Sequence, residues 1–278
     1  MAREVWTNDL YAQLATAPAK QANPIAAALL ETLDDRRFQQ LRDTLLDELH
    51  LYPGAQALEL GCGPGILLEG MHQRLEGDGQ IHGLDLNPHF INVAKRRAQL
   101  LEIENAEFVT ADCHTLPFEK ERFDAVVAEK LLMHVAPLRR VLQEIARVLT
   151  PGGRVALADY DPFTIMAAGP DPALTARVMT SAAELYASPS AARETAQACA
   201  QAGLTVESVR GYLQVFEDAK LPTVAGMPEV WHEHAAAGRQ VDRGTARRWL
   251  KAIEMAATQG RFLVAIPFII TVATKRND

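Results

Sequence analysis

The chain is poor in three things. It carries only three cysteines, Cys62, Cys113 and Cys199, among 278 residues. An odd, widely scattered set makes neither a disulfide framework nor a zinc site, so no bound metal and a reducing compartment are expected. Positive charge is scarce, with 28 Lys and Arg against 35 Asp and Glu and a net charge of −7. That balance leaves no electrostatic footprint for a nucleic-acid partner. The basic clusters Lys95-Arg96-Arg97, Arg139-Arg140 and Arg247-Arg248 each fall on a predicted amphipathic helix and read as solvated faces. Long apolar runs are also missing: none reaches the ~18 residues needed to span a bilayer. The opening Met-Ala-Arg-Glu-Val-Trp shows no signal-peptide pattern. A cytoplasmic protein without a membrane span is expected.

What is present is a βα pattern with acids at its turns. Residues 57–65 read Ala-Leu-Glu-Leu-Gly-Cys-Gly-Pro-Gly. A chain that leaves a buried strand and turns sharply into a helix needs glycine, which tolerates φ > 0 and lets a ligand approach the backbone. The helix behind such a turn offers free N–H groups to a negative ligand end. The spacing is G-x-G-x-G with Ile66 following, not the G-x-G-x-x-G of dinucleotide sites.

Three further strand ends carry chemistry. Ile81–Leu86 ends on Asp85, which can accept both hydroxyls of a ribose. Glu107–Cys113 ends on Asp112, which can accept from an adenine amino group while a backbone N–H meets a ring nitrogen. Phe123–Glu129 leads into Lys130-Leu-Leu-Met-His134. Helical periodicity at Phe38, Leu41, Leu45 and Leu49, at Phe90, Ala94, Ala98 and Leu101, and at Leu138, Val141, Ile145 and Val148 supplies the covering helices. Strands alternating with helices predict a parallel sheet covered on both faces, with the tips at 59–65, 85, 112 and 129 on one edge.

With its Glu-Leu-Gly-Cys-Gly-Pro-Gly loop, Leu-Asp-Leu and Thr-Ala-Asp-Cys strand ends and Ile145–Val155 segment, the chain resembles the class I S-adenosylmethionine-dependent methyltransferases, in their small-molecule, quinone-biosynthesis-like branch. The resemblance implies a Rossmann-like, doubly wound α/β fold with a seven-stranded sheet. Its last strand would run antiparallel between strands five and six. It implies a single domain over 1–278, with a core at about 45–160, 191–212 and 260–276. Residues 1–44, 161–190 and 213–259 would form a helical cap. Pro267 in the last strand predicts a bulge or a change of pairing there.

Carried over residue by residue, the resemblance places Glu59 and the backbone of Gly61, Cys62, Gly63 and Gly65 at the methionine end of S-adenosylmethionine. Asp85 takes the ribose, Leu86 packs on adenine, and Asp112 with the Cys113 N–H reads the base. Glu129 and Lys130 lie near the methionyl amino and carboxylate groups. S-adenosylhomocysteine would be the product. The implied reaction is methyl transfer to O or N, less readily C, of a small hydrophobic or aromatic metabolite. His134 is either a general base or a packed, hydrogen-bonded histidine. Tyr11, Tyr160, Tyr186 and Trp231 are candidate pocket aromatics or core residues. His232 and His234, spaced by two as on a strand or loop, are candidate substrate contacts. A monomer or homodimer is expected. Two alternatives stay open: a non-methylating reaction on the same fold, and a nicotinamide-dependent oxidoreductase. The latter is disfavoured by Ile66, by the acid-tipped third strand and by the lack of a Tyr-x-x-x-Lys pair.

Overall fold

A computed structural model describes residues 26–169, 171–184, 186–221, 224, 226–237 and 241–277. Tyr11 lies outside these residues. The central strands β1 (Gln56–Leu60), β2 (Gln80–Asp85), β3 (Ala106–Thr110) and β4 (Phe123–Glu129) pair in parallel, with β5 (Leu149–Tyr160) beside β4. β1 and β4 are buried on both faces, so they read as near-continuous apolar runs.

Alternate strand residues feed two cores. Ala57, Ile81 and Val127 pack with α1 (Arg36–Asp47), α2 (Leu68–Arg74) and α3 (Pro88–Leu100) on one face. Leu58, Leu84 and Val126 pack with α4 (Leu138–Val148) and α6 (Ala191–Gln201) on the other. Local chemistry starts the helices where they are needed. The Asp35 side chain accepts the Arg37 N–H at the head of α1, and Asn87 caps α3 with Pro88 in its first turn.

With β6 at Met166–Ala167, β7 at Leu204–Phe216 and β8 at Val264–Lys275, the sheet order is β3-β2-β1-β4-β5-β8-β6, and β7 lies on the other edge of β8. β8 runs antiparallel to both β5 and β7, as the resemblance implies. The sheet holds eight strands instead of seven, because the two-residue β6 (Met166–Ala167) pairs with Val264 and Ala265. Pro267 marks the switch: β5 pairs with β8 from Phe268 onward, and β6 takes the same edge before it. A residue without an N–H suits that break.

From the segments expected as a cap, α5 (Pro172–Ala183), α7 (Met227–Ala237) and α8 (Arg243–Thr258) pack on one another. His232 and His234 stand on α7, not on a strand or loop. Pro228, Trp231 and Ala235, spaced by three and four, are buried on it, and the run 235–237 of alanine suits a helix. Among the described residues, no helix is long and apolar enough to cross a membrane.

Candidate active site

β1 delivers the chain into the loop with Gly61 at φ 66°, Gly63 at φ 52° and Gly65 at φ 81°. The Cys62 N–H donates to the Leu84 carbonyl at 3.0 Å, which pins the loop to β2. A Cβ on Gly61 would stand 2.9 Å from Leu131 Cδ1, so that glycine permits a close approach. A Cβ on Gly63 would meet nothing nearer than Leu29 Cδ1 at 3.9 Å, so its backbone faces open space. That space is a pocket lined by Glu59, Gly61, Cys62, Gly63, Asp85, Leu86, Asp112, Cys113, Glu129, Lys130 and His134, with Tyr160 at one side. The four strand tips therefore converge.

Asp85 bridges two elements. One carboxylate oxygen accepts the Gly63 N–H at 2.9 Å and the other the Asn87 N–H at 2.8 Å. An ionised carboxylate has about four acceptor sites, so both oxygens keep capacity for ligand hydroxyls. Burial pushes its acid strength down, raising the pKa, against the pull of the Asn87, Gly63 and Leu86 N–H groups.

At the other end lies a cluster of buried charge. Burial, then the neighbouring Glu129 charge, pushes Glu59 well above the usual carboxylate range. Burial acts on Glu129 in the same sense, but the Arg42 and Lys130 charges outweigh it and hold that carboxyl low. Arg42 Nε donates to Glu129 Oε2 at 2.8 Å, and its other nitrogens reach the Thr32 carbonyl and hydroxyl. Lys130 Nζ stands 3.5 Å from Glu129 Oε1 and 4.9 Å from the centre of the Phe38 ring. Its backbone sits at φ 56° with the N–H donated to the Ala158 carbonyl at 2.8 Å. A left-handed non-glycine residue at a strand tip is a costly conformation held by its surroundings.

Beneath the turn Leu132–His134, the buried Asp159 accepts the Leu132 and Met133 N–H groups at 3.2 and 3.3 Å. Burial raises its pKa to about 7. The His134 ring packs on Tyr186 at 5.4 Å between ring centres, and the Tyr186 and Tyr160 hydroxyls are 2.7 Å apart. Of these three, His134 and Tyr160 line the pocket, and Tyr186, expected there as well, stands outside its lining.

The other expected contacts are elsewhere. Trp231 is 4% exposed and belongs to the core with Trp249 and Val178. His232 Nδ1 lies 3.6 Å from Glu229 one helical turn away. Among the described residues, no pocket-lining residue comes from α5, α7 or α8, while Leu29 from the helical stretch 26–31 does line it. Among the residues that the sequence reading did not single out, Leu29, Leu131 and Val135 line the pocket, and Arg42, Asp159 and His114 stand behind its lining and hold Glu129, the Leu132–His134 turn and Asp112.

The side chains Asp112, Cys113 and His114 have ligand atoms within 4.8 Å of one another. His114 Nδ1 is already engaged with Asp112, and burial pushes the Cys113 thiol upward, away from thiolate.

The donor and acceptor set fits a nucleoside with a cationic amino-acid tail. Asp85 and Asp112 line the pocket together with Glu59 and Glu129, and the Gly63 backbone opens onto it.

Comparison with known proteins agrees with this geometry. A methyltransferase domain family matches residues 51–220. An uncharacterised 37.1 kDa transposon protein of Streptomyces fradiae is 30% identical over 88% of this chain and 69% of its own length. The 2-phytyl-1,4-naphtoquinone methyltransferase of Trichormus variabilis is 36% identical over 39% of this chain, which spans about half (48%) of that protein. The crystal structure of the YcgJ protein of Bacillus subtilis superposes with a TM-score of 0.62 at 16% identity, covering 86% of this chain and 100% of that one. The chain belongs to the class I S-adenosylmethionine-dependent methyltransferase family.

Proposed function

We propose that the pocket binds S-adenosylmethionine and transfers its methyl group to an O, N or C atom of a small, largely apolar ring compound. The observation that carries this reading is the convergence of Glu59, the Gly61–Pro64 turn, Asp85, Asp112 and Glu129 on one pocket, while Gly65, expected at the cofactor, packs against Ala94 instead. The cofactor supplies a methyl group on positively charged sulfur. The protein's part is to hold donor and acceptor in line and to keep water out, which is worth up to about 7–11 kcal/mol in favourable cases.

In this reading Asp85 takes the ribose hydroxyls with its remaining acceptor sites. Leu86 packs on the base, and Asp112 with the Cys113 N–H reads its edge. Glu59 and Glu129 face the cationic end, and Lys130 the carboxylate. The acceptor lies against Leu29, Ile66, Phe90, Leu131 and Val135, which are apolar pocket residues. His134 is the group placed to take a proton from an acceptor hydroxyl. The name of the naphtoquinone methyltransferase relative supports a ring acceptor.

Calorimetry with S-adenosylmethionine and S-adenosylhomocysteine on the wild type and on Asp85→Ala tests the cofactor part. Micromolar binding that weakens at least about tenfold in the variant is expected, the worth of one charge-assisted hydrogen bond or more. Absence of binding in the folded wild type overturns the reading. Transfer of labelled methyl to a panel of quinols and phenols tests the reaction. Conversion of an acceptor with the label left on the cofactor would assign a non-methylating reaction instead.

A further inference from the structure

The third strand ends in Thr-Ala-Asp112-Cys113-His114, and the turn folds back on its own acid. The His114 backbone N–H donates to Asp112 Oδ1 at 2.8 Å, and the His114 ring Nδ1 meets the same oxygen at 2.7 Å. Both contacts end on Oδ1, and among the described residues no hydrogen bond reaches Oδ2. From α4, Arg140 Nε donates to the His114 carbonyl at 2.9 Å and fixes the turn from below. Asp112 lines the pocket with its side chain 32% exposed, whereas the His114 side chain is 14% exposed. One residue faces the ligand and the other buttresses it.

We propose that His114 is a positioning residue for base selection. By tying up Oδ1 it aims the second oxygen of Asp112 at the exocyclic amino group of an adenine, so that the pocket takes 6-aminopurine nucleosides and rejects 6-oxopurine ones. The inference rests on the cofactor reading above.

The hydrogen bond from His114 is also the main influence holding the Asp112 carboxyl below the usual range. An ionised carboxylate only accepts. It therefore pairs with an amino group, and it repels the carbonyl oxygen of a 6-oxopurine. The neighbouring Cys113 N–H only donates, which suits the bare ring nitrogen of adenine and opposes the protonated one of hypoxanthine. A site with fixed donors and acceptors discriminates because the wrong ligand leaves them unpaired.

The test compares S-adenosylhomocysteine with its deaminated analogue, S-inosylhomocysteine, by calorimetry. Wild type should prefer the amino form by about tenfold or more, the usual worth of a charged hydrogen bond. His114→Ala should reduce that preference to about threefold or less, with its unfolding midpoint checked in parallel. His114→Asn, whose amide can reach Oδ1, should restore it. Full preference in His114→Ala, or equal weakening of both ligands, overturns the inference. So does a wild-type preference abolished by EDTA, which would assign the turn to a cation. If the folded wild type binds neither ligand, the cofactor reading itself fails.

Discussion

Arg42 and Glu129, 87 positions apart in sequence, form an ion pair at 2.8 Å with side chains 7% and 5% exposed. It ties α1 to the tip of β4. Breaking a buried pair from one side leaves an uncompensated charge, at a typical cost of about 3–5 kcal/mol. Arg42→Ala should lose stability of that order in urea denaturation, with weakened cofactor binding, because Glu129 and Lys130 lose their anchor.

Gly61 meets two constraints at once, a positive φ and the nearby Leu131 side chain. Gly61→Ala should cost about 1–3 kcal/mol of stability. Adding Leu131→Ala removes the Cδ1 and Cγ contacts and leaves the milder Cβ contact at 3.3 Å together with the φ. The double variant should therefore recover only part of the loss relative to Leu131→Ala alone. Full recovery would show that the φ contributes nothing.

Burial and the Glu129 charge push Glu59 well above the usual carboxylate range. A cation placed beside it favours the ionised form, so at a pH where the free protein holds that proton, binding should release it. The calorimetric enthalpy for S-adenosylmethionine should then change with the ionisation enthalpy of the buffer. In Glu59→Gln the buffer dependence should shrink.

Asp159 has a native pKa of about 7 against a reference value of 3.8. A raised acid pKa means that the folded state holds the proton more tightly, so stability falls as pH rises between the two values. Wild type should lose stability relative to Asp159→Asn from about pH 4 to about pH 7, and the difference should be flat above that. The opposite slope would refute the assignment. Denaturant midpoints across pH measure it.

The glycine loop and the acids at β2, β3 and β4 were legible in the sequence because each is a local pattern: an apolar run, then the residue that a turn or ligand requires. The order of β8 came with the family resemblance. The buried partners are legible only with tertiary information. Arg42 did leave a trace, since it interrupts the apolar face between Leu41 and Leu45, and Asp159 ends the run Val-Ala-Leu-Ala. His114 left none, because its part depends on where the ring of a residue in a turn points. The two-residue β6 is too short for any periodicity, and the spacing of His232 and His234 did not reveal α7, whose register is set by Trp231 and Ala235.

β8 is the last strand of the described chain, yet it lies inside the sheet between β5 and β7. A ribosome makes β5 and β7 first. Until Val264–Lys275 emerges, β7 has no strand to join, and the edge of β5 that β8 will cover stays open. Strand pairing on this side of the molecule therefore waits for the segment beyond residue 263. A chain stopped before residue 264 would lose the middle of its sheet and not its margin.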